Sequence, residues 1–108
     1  MPFPLSSSLL DYCVLAIVQR QDEYGYSITQ KMQLVTPLSE STLYPVLRRL
    51  QQAQLLETYD MPFQGRNRRY YRLTAKGTKQ LSIFHKEWQE HKNMIEQLVM
   101  QEKRSDEG

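Results

Sequence analysis

A single cysteine among 108 residues leaves no disulfide framework within the chain. Cys13 lies in an apolar run and reads as a buried thiol in a reducing compartment. The sequence has no glycine-rich phosphate cradle, no paired acids in a plausible cleft and no Cys-His constellation, so an enzyme is disfavoured and no cofactor is called for. His85 and His91 are off the one-face spacing of a helical metal pair and have no cysteine neighbours, which argues against a metal site. The opening MPFPLSSSLLDYCVLAIV lacks a basic segment and is interrupted by Asp11. A secretion signal and a membrane span are therefore both disfavoured, and a cytoplasmic protein is expected.

What is present is charge, unevenly placed. The formal net charge is only +2, but residues 40–80 hold eight cations against three acids, a local net of +5. The flanking thirds are slightly negative. A polyanion-binding surface and a merely solvated basic face would both leave this pattern. The length suits one domain with a modest core and one protruding element.

Apolar spacing divides the chain further. Residues 8–20 follow a serine cluster able to cap a helix, and their apolar positions run nearly all the way round, so this helix must be covered on more than one side. Residues 26–35 resume a helical pattern with Ile28, Met32 and Val35 on its stripe, stopped by TPLS, where Pro37 disfavours helix and Ser39 is a good N-cap. The third helix is expected from about Ser39 to Gln54. Leu43, Val46, Leu47 and Leu50 form its core stripe, leaving Ser41, Tyr44, Pro45, Arg48 and Gln52 outward. Two helices joined by a short turn, the second with a polar and basic outer face, match a helix-turn-helix.

The runs LLETYD and RRYYRL read as a hairpin around MPFQGRN, with Pro62 and Gly65 as turn residues. Alternation sets Arg69, Tyr71 and Leu73 on one side and Arg68, Tyr70 and Arg72 on the other. Thr74 can cap a last helix over about Ala75–Glu102, whose start Gly77 weakens. There Leu81, Phe84, Trp88, His91, Ile95 and Leu98 form a heptad seam with nothing in the same chain to bury it, which implies a second copy of the chain. The expected fold is mainly α with a small β-hairpin wing. A winged helix-turn-helix DNA-binding domain spans residues 1–74, a dimerisation helix residues 75–102 and a disordered tail residues 103–108.

STLYPVLRRLQQAQLLE followed by GRNRRYYRLTAKG resembles the PadR family of bacterial transcriptional regulators, and YGYSI resembles the start of that family's second helix. The length fits the branch with a single C-terminal helix. The resemblance implies a cytoplasmic homodimeric repressor on an inverted-repeat operator in double-stranded DNA, commonly released by a small molecule. In drug-sensing members a flat aromatic compound enters a pore at the dimer interface between two tryptophans. Trp88 occupies that position, and Tyr12, Leu81, His85 and Lys92 would lie around it. Those relatives tend to carry an acid near the Lys92 position to hold cationic ligands; this chain has a lysine there.

For DNA, the resembling motifs and the outward face point to Ser41, Thr42, Tyr44 and Arg48 on the third helix, and to Arg66, Arg68 and Arg69 on the wing. Arg48 suits a guanine edge or a phosphate, and a tyrosine hydroxyl usually takes phosphate. Pro45 lacks an N–H and can bend its helix. Blander roles fit other residues: one of Tyr70 and Tyr71 is core and one surface, Arg49 is an intra-protein or surface charge, and Met32 and Met61 fill gaps. From the residues alone Trp88 serves a ligand pocket or plain seam packing equally well, and the resemblance favours the pocket. The rival readings are a ligand-independent regulator and a protein-interaction module that never binds DNA specifically.

Overall fold

A computed structural model describes residues 5–101; the tail expected at residues 103–108 lies outside them. The order is α1 (Ser7–Arg20), β1 (Glu23–Tyr24), α2 (Gly25–Met32), α3 (Glu40–Gln52), β2 (Leu56–Phe63), β3 (Arg66–Leu73) and α4 (Ala75–Val99). This is a winged helix with a long terminal helix.

α1, α3 and α4 each begin on a residue whose side chain accepts a free amide, while at α2 the Tyr24 amide donates to the Ser27 hydroxyl instead. The Ser6 side chain accepts from the Leu9 amide, Ser39 from Thr42 and Thr74 from Gly77. α2 is shorter than its pattern suggested. It ends at Met32, and Val35, expected on the buried stripe, is 68 % exposed in the turn that follows. With Pro37 close behind, the chain leaves helical geometry before Val35 can reach the core.

The core gathers Val14, Leu15 and Val18 of α1, Ile28 and Met32 of α2, the four α3 stripe residues, Leu55, Leu56, Tyr71 and Leu81. α3 stays continuous through Pro45. The reason is one of magnitude: an interior proline costs about 3 kcal/mol, while each of four buried aliphatic side chains contributes about 1.5–3 kcal/mol. The helix closes with the Leu55 amide on the Leu50 carbonyl and the Gln54 amide on the Gln51 carbonyl. Gln54 sits in the left-handed region (φ 66°) that this closure requires.

The sheet has a third strand that the hairpin reading lacked. Its order is β1-β3-β2, all antiparallel, with Glu23 opposite Tyr71 and Tyr24 opposite Tyr70. The hairpin is also longer than expected, since only Gln64 and Gly65 make the turn, both at positive φ. Pro62 belongs to β2, opposite Asn67, rather than to the turn. An edge strand tolerates this, because its outward side needs no amide donor. Among the described residues Glu23 is the buried acid, 4 % exposed. It accepts from Gln21 (3.1 Å), Ser27 (2.6 Å) and Lys31. Burial pushes its carboxyl pKa up, but the hydrogen bonds from Lys31, Ser27 and Gln21, with the Lys31 charge, outweigh this and hold it below the usual value.

α4 ends at Val99 rather than near residue 102; its last turn carries no cation to complement the helix dipole. At its other end Gly77 is a requirement, not a weakness. A Cβ there would stand 2.1 Å from the Leu55 carbonyl oxygen and 2.8 Å from Leu73 Cδ1. Thr74 completes the junction, its hydroxyl donating to the carbonyls of Gln54 (2.7 Å) and Leu55 (3.1 Å). Gly77→Ala should therefore destabilise the fold by roughly 3 kcal/mol, read as a lowered Tm. An unchanged Tm would contradict this seating of α4.

Candidate nucleic-acid interface

α3 turns two different faces to its surroundings. Leu43 and Leu47 are fully buried and Val46 and Leu50 nearly so, while Ser41, Thr42, Pro45, Arg48 and Gln52 are exposed and Tyr44 is 39 % exposed. The Ser41 and Thr42 hydroxyls lie 2.9 and 3.1 Å from the Ser39 hydroxyl. The helix N-terminus therefore presents an ordered cluster of donors and acceptors at the end that enters a groove first.

Tyr44 is fixed by what lies beneath it. A Cβ on Gly25 would stand 2.7 Å from the Tyr44 hydroxyl and 2.8 Å from its ring. Only glycine at the start of α2 lets the ring lie this close. Burial, then the negative charge of Glu40, pushes the Tyr44 pKa up. The phenol thus stays protonated at physiological pH and keeps its donor.

The wing faces α3 across an open cleft of about 590 Å³. Tyr44 and Arg48 line one wall, Asn67, Arg68 and Arg69 the other, with Tyr24 and Tyr26 at one end. β3 alternates as its sequence suggested. Tyr71 is buried on the inner face, and Tyr70 is half-buried on the outer one between Tyr24 and Tyr59, each at 5.6 Å between ring centroids. Arg69 lies in the cleft with Asp60 3.7 Å away, both more than half exposed, so this pair is loose and contributes little to stability. Arg66 sits exposed beside the hairpin turn. Arg49, expected to be a surface or intra-protein charge, is both: it stays exposed and pairs with Asp11 of α1.

Arg68, grouped with the DNA-contacting arginines, alternates to the strand face opposite Arg69, yet it still borders the cleft at the Tyr24 end. Its guanidinium lies between two rings, 3.9 Å from the centroid of Tyr24 and 3.6 Å from that of Phe63. Tyr26, Asn67 and Asp60 are cleft residues that the sequence reading missed. Their signal was available only at the level of alternation, since Asn67 and Asp60 share a strand face with Arg69.

A second recess, of about 300 Å³, opens between α1 and α4. It is lined by Leu9 and Tyr12 of α1 and by Phe84, Glu87, Trp88 and His91 of α4, among others. The Tyr12 hydroxyl is 2.9 Å from Nδ1 of His85, so this pair stands behind the aromatic wall. Of the residues expected there, Tyr12 and Trp88 line the recess and His85 supports it. Leu81 does not: it is 6 % exposed and packed into the chain's own core. Lys92 does not line it, whereas Glu87, which the sequence reading passed over, does. Phe84 packs partly on the chain's own core, and the open part of the expected seam runs from Trp88 and His91 to Ile95 (42 % exposed) and Leu98 (69 %). Burial pushes the half-buried Cys13 thiol up, in keeping with an inert structural cysteine. Among the described residues, no helix is long and apolar enough to cross a membrane.

A helix-turn-helix whose second helix keeps a polar, basic face free beside an arginine-bearing wing defines a winged-helix DNA-binding protein. Comparison narrows the class. The chain belongs to the PadR-like family of transcriptional regulators, whose pattern matches residues 14–83. The smu.1704 protein of Streptococcus mutans UA159 is 44 % identical, superposes with a TM-score of 0.88, and is covered in full by 98 % of this chain. A PadR family transcription regulator from Clostridium difficile R20291 is 30 % identical with a TM-score of 0.78, over 83 % of this chain and 97 % of that one. An uncharacterised protein of Lysinibacillus sphaericus is 38 % identical over 93 residues, covering 81 % of this chain and 84 % of its own. The family match places the chain among transcriptional regulators rather than enzymes.

Asp60 is the acid among the cleft residues, and a polyanion lying along the cleft would meet it. Asp60→Asn should tighten binding to duplex DNA of any sequence by about two- to fivefold per subunit at moderate salt. Fluorescence anisotropy on an unrelated duplex checks this. Unchanged or weaker binding would mean that DNA does not pass along the cleft.

Proposed function

We propose that this regulator is a homodimeric repressor that binds an inverted-repeat operator and is released by a flat aromatic small molecule held near Trp88. The observation that carries the DNA half is the cleft itself, in which Tyr44 and Arg48 of α3 face Arg69 of the wing. With α3 in the major groove, Ser41, Thr42, Tyr44 and Arg48 are the groups within reach of base edges and phosphates. Arg66 and Arg69 then meet the backbone or the adjoining minor groove, and the strand that separates the two grooves runs between helix and wing. Residues 1–74 make up this DNA-binding unit.

α4 supports pairing with a second copy. Its 25 residues reach about 38 Å. Beyond Phe84 its apolar residues are left open, with Met94 53 % and Leu98 69 % exposed. A seam of Phe84, Trp88, His91, Ile95 and Leu98 has the spacing to close against its own copy, giving an isologous dimer. The recess beside it offers a flat ligand the faces of Tyr12, Phe84 and Trp88 and the carboxylate of Glu87, a mostly apolar lining with few polar groups.

α1 joins the two sites. Tyr12 walls the recess, and the adjacent Asp11 pairs with Arg49 on α3, one residue from Arg48. A ligand that shifts α1 against α4 thereby shifts the recognition helix. It releases DNA if it favours a spacing of the two α3 helices that misses successive major grooves, about 34 Å apart. The protein would act in the cytoplasm, where operator and inducer meet.

A footprint on DNA upstream of the protein's own gene tests this, followed by titration with flat aromatic dyes while Trp88 fluorescence is monitored. The expected result is two protected half-sites one helical turn apart, with quenching of Trp88 and loss of the footprint at the same dye concentration. Weak, sequence-blind binding would favour a protein-interaction module. A footprint with no quenching by any dye would favour a ligand-independent regulator whose Trp88 pair closes the interface.

A further inference from the structure

The wing has a mechanical weakness. β1 pairs with β3 only at Tyr70 and Tyr71, so from Arg69 to the turn the hairpin is a two-stranded ribbon with no third neighbour. Such a ribbon is marginally stable alone and free to twist. Yet Arg66 and Arg69 can meet DNA together with Arg48 only if the ribbon keeps a fixed angle to α3.

The outer face of the sheet carries what fixes it. Phe63, the last residue of β2 before the turn, and Tyr24, where β1 passes into α2, are remote in sequence and lie at opposite ends of the free ribbon. The Arg68 guanidinium joins them, 3.6 Å from one ring centroid and 3.9 Å from the other. Tyr24 is anchored in turn at 5.6 Å to Tyr70, which stacks at 5.6 Å on Tyr59, whose hydroxyl donates to the Asp22 carboxylate at 2.6 Å. The stack therefore runs without a break from the wing tip to the chain segment before β1. A flat, always-charged group is the side chain suited to lie between two rings.

We infer that Arg68 is a positioning residue, not a phosphate contact: clasped between Tyr24 and Phe63, it locks the wing at the angle from which Arg66 and Arg69 reach DNA. This rests on the DNA-binding reading, and binding of operator by the unaltered protein tests that reading separately.

The two roles separate in the salt dependence. Each phosphate contact contributes about −0.9 to the slope of log K against log salt, whereas losing a positioning residue only adds the cost of ordering the wing: the bound complex keeps its Arg66 and Arg69 contacts, so affinity falls and the slope stays in place. Operator affinity and slope are to be measured for the full-length dimer carrying Arg68→Ala, Arg68→Lys, Phe63→Leu or Tyr24→Phe, with Arg66→Ala as the phosphate-contact reference. Unfolding midpoints are recorded alongside. Arg68→Ala, Arg68→Lys and Phe63→Leu should each weaken binding on the order of tenfold while keeping the wild-type slope. Tyr24→Phe keeps its ring and should bind as wild type. Phe63 lies exposed at the wing tip, so its replacement reads the clasp even if an Arg68 variant folds poorly. Wild-type affinity in Arg68→Lys, or a slope in Arg68→Ala flattened as far as in Arg66→Ala, would overturn the assignment.

Discussion

Everything this protein presents to DNA depends on the seating of α3. Leu43, Val46, Leu47 and Leu50 fill the centre of the core, contributing roughly 6–12 kcal/mol of gross burial free energy. That is enough to hold in place a helix containing a proline and a run of polar residues. Because this one stripe takes most of the packing, the opposite face can carry Ser41 and Arg48 exposed, with Tyr44 only partly covered. Gly25 extends the same constraint to α2, since its missing side chain lets the Tyr44 ring lie flat against the first turn of its neighbour.

The second constraint is the junction where α3, the hairpin and α4 meet. Leu55 is buried, its amide closes α3, and its carbonyl receives Thr74 and lies against Gly77. One residue therefore sets the end of the recognition helix, the base of the wing and the start of α4. A change in the direction of α4 is felt at the wing and at α3 through this point, and again through the Asp11–Arg49 pair on the other side of the core. The cleft and the recess are thus joined by packing and by charge, as the coupling proposed between them would require.

Much of this was legible in the sequence because it depends on periodicity and end chemistry. The α3 stripe and its Ser39 cap, the Thr74 cap, and the split of Tyr70 and Tyr71 between surface and core all follow from local patterns. What was not legible depends on tertiary approach. β1 is two residues long and has no pattern of its own. Pro62 looks like a turn residue until the strand carrying it proves to be an edge. Gln54 holds a left-handed position usually given to glycine. Gly77 seems to weaken a helix until the Leu55 carbonyl is found beneath it, and Leu81 keeps the seam's spacing but faces its own core. Arg68 looked like one more wing cation, and nothing in its immediate neighbours announces the two rings that hold it.

The measurement that bears most directly on the account is a paired one on Arg48→Ala: operator affinity by anisotropy and stability by thermal unfolding. Arg48 is exposed on the free face of α3, so the account predicts a loss of operator affinity of at least tenfold, equivalent to about 1.4 kcal/mol or more, with the Tm and the dimer unchanged. Loss of folding, or full affinity in the folded variant, would contradict the assignment of that face to DNA.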